Sequence, residues 1–177
     1  MHPRFRELQD YLTQAREGLL KTVSDLSPAQ LQRRPVDDVW SPGETLEHLR
    51  LTESSIVKVL RKLLRENELK DLGPEQETAS VMGRLDPFRL MELVRRVSAP
   101  ALVQPDPHAD GRAALLGLGE SRADLTEVIR QADGWAVGSL CFPHPILGLL
   151  DFYQWVLFIG QHEVRHTRLI QKALTTS

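Results

Sequence analysis

Between about residue 68 and residue 108 the chain loses the spacing of apolar residues by threes and fours found elsewhere, and Gly73, Pro74, Gly83, Pro87, Pro100, Pro105 and Pro107 fall in the gap. Helices of a bundle are commonly joined by about 2 to 8 residues, so a connection of about 40 must do something that a tight turn cannot. It can carry the chain back along a whole helix before the next one starts, so that the helices on its two sides run parallel. Within the gap, "DPFRLMELVRR" is expected to form a short helix capped by Asp86.

Four long stretches flank this gap with helical periodicity, and no stretch shows a sustained strand-type alternation. The first runs over about residues 3 to 25, with Phe5, Leu8, Leu12, Ala15, Leu19 and Val23 on one side. After it, Ser27 and Pro28 predict a single helical turn that ends before Pro35. The second long helix has the clearest start: in "WSPGETLEHL", Ser41 is the N-cap, Pro42 takes the first helical position and Glu44 completes a capping box. Its inward stripe is Leu49, Thr52, Ile56, Val59, Leu60 and Leu63, with His48 on the edge beside Thr52. The third helix covers about 111 to 132. The loop "DGWAVGSLCFPHPILG" leads to the fourth, about 152 to 174, capped by Asp151 with Gln154 three residues on. At 177 residues the chain reads as one domain, which at this size buries roughly 70% of its unfolded surface without needing a metal to hold it together.

Trp155, Phe158, Ile159, His162, His166, Leu169 and Ile170 recur by threes and fours on the fourth helix, which puts two histidines in its buried stripe. Spaced i and i+4, both imidazoles can reach one ion. Buried together without an ion, they would leave polar nitrogens needing partners in a dry place. A third ligand is required for a catalytic site of zinc type, and His48 is the natural candidate. It lies about 10 Å from the start of the second helix, and His162 and His166 lie about 18 and 12 Å from the end of the fourth. The three share a depth only if those two helices are antiparallel. The fold expected is therefore all-α, a four-helix bundle in up-down-down-up order with residues 68 to 108 as the crossover.

The stretch "GQHEVRHTRLI" also matches H-E-x-x-H, the mark of many zinc peptidases. Those enzymes take a further ligand from downstream, whereas here only "TRLIQKALTTS" follows, with no His, Asp or Glu. No strand is expected to hold an extended peptide either. Glu163 is expected on a solvated flank, with a base acting behind the ligands as the alternative. Arg165 is expected in a surface ion pair, or as a guide for an anionic substrate. His144, between two prolines, is assigned a structural role in a loop at the far end from the metal. Trp40 is expected to pack on the second helix or line the mouth of the site, and Cys141 to be a small buried apolar residue.

"WSPGETLEHLRLTE", "HPILG" and "QWVLFIGQHEVRHTRLI" together resemble the DinB/YfiT-like superfamily over about residues 1 to 174. The resemblance implies a bundle that holds one divalent metal through His48, His162 and His166. It also implies metal-dependent chemistry of broad scope, including S-transferases or isomerases that use bacillithiol, mycothiol or glutathione. A metal-dependent hydrolase and a non-catalytic, stress-related metal-binding module are the alternatives. Zinc and nickel both suit imidazole ligands.

A formal charge of −2, from 22 basic and 24 acidic residues spread along the chain, offers no basic stripe for nucleic acid. The expected partners are a small-molecule substrate, with a low-molecular-weight thiol the leading class, and a second copy of the chain as a homodimer. A single cysteine, with no leader-like or membrane-spanning run, suits the cytoplasm.

Overall fold

This computed structural model describes residues 1–36, 39–91 and 99–175. Four long helices form the bundle: α1 (Pro3–Val23), α3 (Pro42–Glu66), α5 (Gly111–Ala132) and α6 (Phe152–Thr175), with α2 (Pro28–Gln32) and α4 (Leu69–Leu72) in the connections. Local chemistry sets their starts. Ser41 accepts from the Glu44 backbone N–H at 3.1 Å while the Glu44 carboxylate accepts from Ser41 N–H at 2.8 Å, and Arg34 pairs with the same carboxylate. Ser27 and Gln30 make the same reciprocal box for α2. Asp151 and Gln154 do so for α6, with bonds of 2.8 and 3.0 Å.

Side-chain pairs fix the order of the bundle. Against α6, α3 is antiparallel: His48 faces His166, while further along α3 Thr52 shares the lining of one small cavity with Ile159. Against α5 it is parallel, since Gly43 meets Gly111, Arg50 lies over Gly117 and Arg61 pairs with Asp124. At the first of these contacts a Cβ on Gly111 would sit 3.0 Å from the Cα of Gly43, so the two backbones approach as only glycine permits. Running with α6, α1 aligns Phe5 with Phe152, Tyr11 with Gly160 and Arg16 with Glu163. The up-down-down-up order follows.

The described parts of the crossover are tied to the bundle. The crossover contains α4 and the 3-10 turns Met82–Phe88 and Ala101–Val103. Arg4 on α1 reaches into it, donating to Ala79 O at 3.0 Å and Glu75 Oε2 at 3.1 Å, and Tyr153 on α6 donates to the same carboxylate at 2.7 Å. Asp86 does not cap a helix: it lies inside the first 3-10 turn. The remainder of the expected "DPFRLMELVRR" helix lies mostly outside the described residues.

A second difference is a hairpin in the loop before α6. Strand β1 (Cys141–His144) pairs antiparallel with β2 (Gly148–Asp151), register Cys141 to Asp151 through His144 to Gly148. Four residues with Pro143 among them are too short for an alternation to stand out. The turn closes because Gly148 takes φ 82°, and Nδ1 of His144 accepts from the backbone N–H groups of Ile146 and Leu147 at 3.1 and 3.2 Å. Cys141 is exposed on β1, not buried.

In the bundle interior each long helix contributes one charged side chain to a single cluster. Arg16 donates to Glu163 at 2.7 Å and to Glu53 at 2.9 Å, while Arg122 donates to Glu53 at 3.0 Å and pairs with Glu163. Both carboxylates are only 3% exposed. Removing one arginine leaves two buried carboxylates sharing a single guanidinium, so that one negative charge is uncompensated, at a cost of about 3–5 kcal/mol. We expect Arg122→Met to lower the urea midpoint by a loss of that size with an unchanged m-value; a loss under about 1 kcal/mol would show the cluster to be energetically idle.

Candidate metal centre

The histidine site forms where the first turns of α3 meet the middle of α6. The capping box fixes the frame of α3 and brings His48 inward, where it is 4% exposed rather than at the edge of the stripe. From α6, His162 and His166 project toward it one turn apart. The ring centroids lie 5.0 Å (His48–His162), 4.8 Å (His48–His166) and 4.4 Å (His162–His166) apart. One nitrogen from each ring can be chosen so that all three lie within 4.8 Å of one another.

Hydrogen bonding fixes the tautomer of His48. Its Nδ1 lies 2.7 Å from the Val103 carbonyl oxygen, which can only accept, so Nδ1 carries the proton and Nε2 presents a lone pair. That lone pair faces Nε2 of His162 at 3.2 Å. His166 is buried, and among the described residues nothing hydrogen-bonds to its Nδ1. Converging nitrogens of this kind fit a cation: tetrahedral zinc with Zn–N of about 2.0–2.1 Å spaces its donors about 3.4 Å apart. A carbonyl behind the Nδ1–H is the usual means of orienting a ligating histidine.

Aromatic rings form the walls. Trp40 sits 4.9 Å from His48 and stacks at 6.5 Å on His166, so it both packs on α3 and lines the site. Phe158 stacks on His162 at 5.2 Å. His144 is not at the far end: the hairpin folds back along α6 and places its ring 4.8 Å from Phe158, one ring away from His162. Its structural role in the turn stands.

Glu163 is the main revision to the site. It is 2% exposed, and its carboxylate is taken up by Arg16 and Arg122, so it is neither a solvated flank nor a base at the histidines. Arg165 is partly buried and close enough for its charge to act on all three imidazoles. The Val103 carbonyl, the stacking of Phe158 on His162 and the joining of Glu163 to Arg16, Glu53 and Arg122 have no counterpart in the sequence reading. The cluster had a signal: Arg16, Glu53, Arg122 and Glu163 each stand four residues after a core position, namely Leu12, Leu49, Leu118 and Ile159.

Burial lowers the pKa of each ring. For His48 the bond to Val103 opposes this and Arg165 adds to it. For His162 the two neighbouring imidazoles and Arg165 add to burial, and for His166 His48 and Arg165 do, so both lie well below the ordinary value. Burial pushes His144 down to about 4. All four are therefore neutral near pH 7, the form that binds metal.

A bundle with an imidazole centre between its second and fourth long helices is the class of protein that fold and site define. The family model of the DinB superfamily matches residues 11–170, and the chain belongs to that superfamily. It is 24% identical over 160 residues to YuaE of Bacillus subtilis (strain 168), an uncharacterized protein, covering 86% of this chain and 88% of that one. A solved structure described as TT2238, a four-helix bundle protein, superposes with a TM-score of 0.59 at 24% identity, over 95% of this chain and 98% of the other. Among the described residues no helix is long and apolar enough to cross a membrane.

The lowered histidine pKa values set the pH dependence of the metal-free protein. Below about pH 6.5 the unfolded chain takes up protons that the folded chain resists, so stability present above that value is lost as pH falls. We expect the melting temperature of chelator-treated protein to drop steadily from about pH 7 to pH 5. A flat profile would contradict the shifts.

Proposed function

We propose that this chain binds one divalent metal through His48, His162 and His166 and uses it in chemistry on small molecules, with thiol transfer to an electrophile the specific reaction. The observation that carries the reading is the convergence of the three rings, with the Nε2 atoms of His48 and His162 facing each other at 3.2 Å. A divalent cation bound by three neutral imidazoles acidifies a water or thiol at an open position and so supplies a nucleophile near neutral pH.

The chain's own residues favour the thiol over water. Water attack of the zinc-peptidase kind needs a carboxylate to accept a proton, and the acidic side chains that line a cavity with His162, Glu53 and Glu163, are each tied to two arginines. A thiol, with a pKa of about 8.5 before any cation acts on it, needs far less help. Trp40 and Phe158 give the site apolar walls that limit water, which favours a nucleophile other than water itself. Zinc and nickel remain the metals that suit the donors.

Elemental analysis should find about one divalent metal per chain, with His48→Ala losing most of it while the helical circular dichroism persists. Unchanged metal content in that variant would remove His48 from the site. In cobalt-substituted protein, a thiolate charge-transfer band in the near ultraviolet should appear with bacillithiol, mycothiol or glutathione and disappear when an electrophile is consumed. No band with any thiol, with His162-dependent hydrolysis of a simple ester, would favour the hydrolase; no exchangeable position at all would favour a binding module.

A further inference from the structure

Between the histidines and the charged cluster lies a small cavity of about 10 Å³, lined by Leu49, Thr52, Glu53, Ile159, His162 and Glu163. Thr52 lines it, and its Oγ1 is buried with no hydrogen-bond partner among the described residues. An orphaned buried hydroxyl costs about 1–3 kcal/mol, and proteins rarely leave one. A space of about 10–15 Å³ admits one water, provided two to four polar groups surround it.

Those groups are present. The hydroxyl of Thr52 both donates and accepts. His162 lines the cavity, and with its Nε2 engaged by His48 at 3.2 Å, Nδ1 is the ring's other hydrogen-bonding nitrogen. On the cluster side, Oε1 of Glu163 accepts from Arg16 Nε and Oε1 of Glu53 from Arg122 Nε, and a carboxylate oxygen has room for a second donor.

We propose that one internal water occupies this cavity and joins Thr52 Oγ1 to Nδ1 of His162 and to the carboxylates of the charged cluster, making Thr52 a positioning residue for the His162 ligand. The inference rests on the metal-binding reading above. When Nε2 of His162 gives its lone pair to a cation, the ring proton resides on Nδ1 and requires an acceptor. For His48 that acceptor is the Val103 carbonyl. For His162 it is the water, which accepts from Nδ1–H and donates one hydrogen to a carboxylate and the other to Thr52. Thr52 thus links the charged layer to the ligand set without touching substrate or metal.

Two variants test this. Thr52→Val keeps the shape and removes the hydroxyl; Thr52→Ser restores it. In competition with a chromogenic chelator, we expect Thr52→Val to bind zinc about 10-fold more weakly than wild type, and Thr52→Ser to stay within about 3-fold, with the same helical signal and melting temperature in the metal-free state. High-resolution crystal structures of the metal-free proteins should show an ordered water within hydrogen-bond distance of Thr52 Oγ1 in wild type and none there in Thr52→Val. A dry cavity in wild type, or equal zinc affinity in Thr52→Val, overturns the proposal. If wild type binds no metal, the proposed function fails, and the crystallographic comparison alone then decides whether Thr52 holds the water.

Discussion

Arg16, Glu53, Arg122 and Glu163 come one from each long helix and meet in a single buried layer. Two positive and two negative groups neutralise each other only if every arginine reaches both carboxylates, as occurs here. Exchanging neighbouring helices, or sliding one by a turn, would leave a charge facing apolar side chains, at a cost of several kcal/mol. The arginines also donate to the Leu118 and Leu12 carbonyls at 2.8 Å, which ties the layer to the backbones of α5 and α1. Apolar stripes alone would tolerate several registers of these helices; the charges favour one. The histidines sit about a turn from this layer, and their mutual placement follows from it.

The crossover solves a different problem. Parallel packing of α3 on α5 requires the chain to return along the bundle, and the Arg4–Glu75–Tyr153 contacts bind that return path to α1 and α6. Near its end the same segment supplies the Val103 carbonyl that sets the tautomer of His48. One segment therefore permits the helix order that brings the histidines together and orients one of them. Its length has a function at both ends.

Much of this was legible in the sequence because the relevant signals are local. The Ser41 box, the i and i+4 histidines and the break at residue 68 each depend on a few neighbouring residues, and together they specify the helix order and the three-histidine cluster. The hairpin was missed because two four-residue strands hold too little alternation to register. Glu163 was misread because its neighbours in sequence say nothing about Arg16 or Arg122, which come from other helices. A charge at a core-register position is suspicious in one helix, but only the tertiary arrangement turns four such anomalies into a neutral set.

The motif H-E-x-x-H shows how strongly that arrangement decides chemistry. Consecutive residues on a helix point about 100° apart, so a helix packed on several neighbours can send His162 toward one layer and Glu163 into another. Here His162 faces His48 on α3, and Glu163 turns to the arginines of α1 and α5. In a peptidase the same glutamate must remain beside the metal to accept a proton. Locked between two guanidinium groups it cannot, so the same five-residue pattern provides two candidate ligands and a structural anchor. What remains at the centre, among the described residues, is a cluster of three imidazoles whose neighbouring glutamates are already taken up by arginines; on the proposed reading it suits a nucleophile that loses its proton easily.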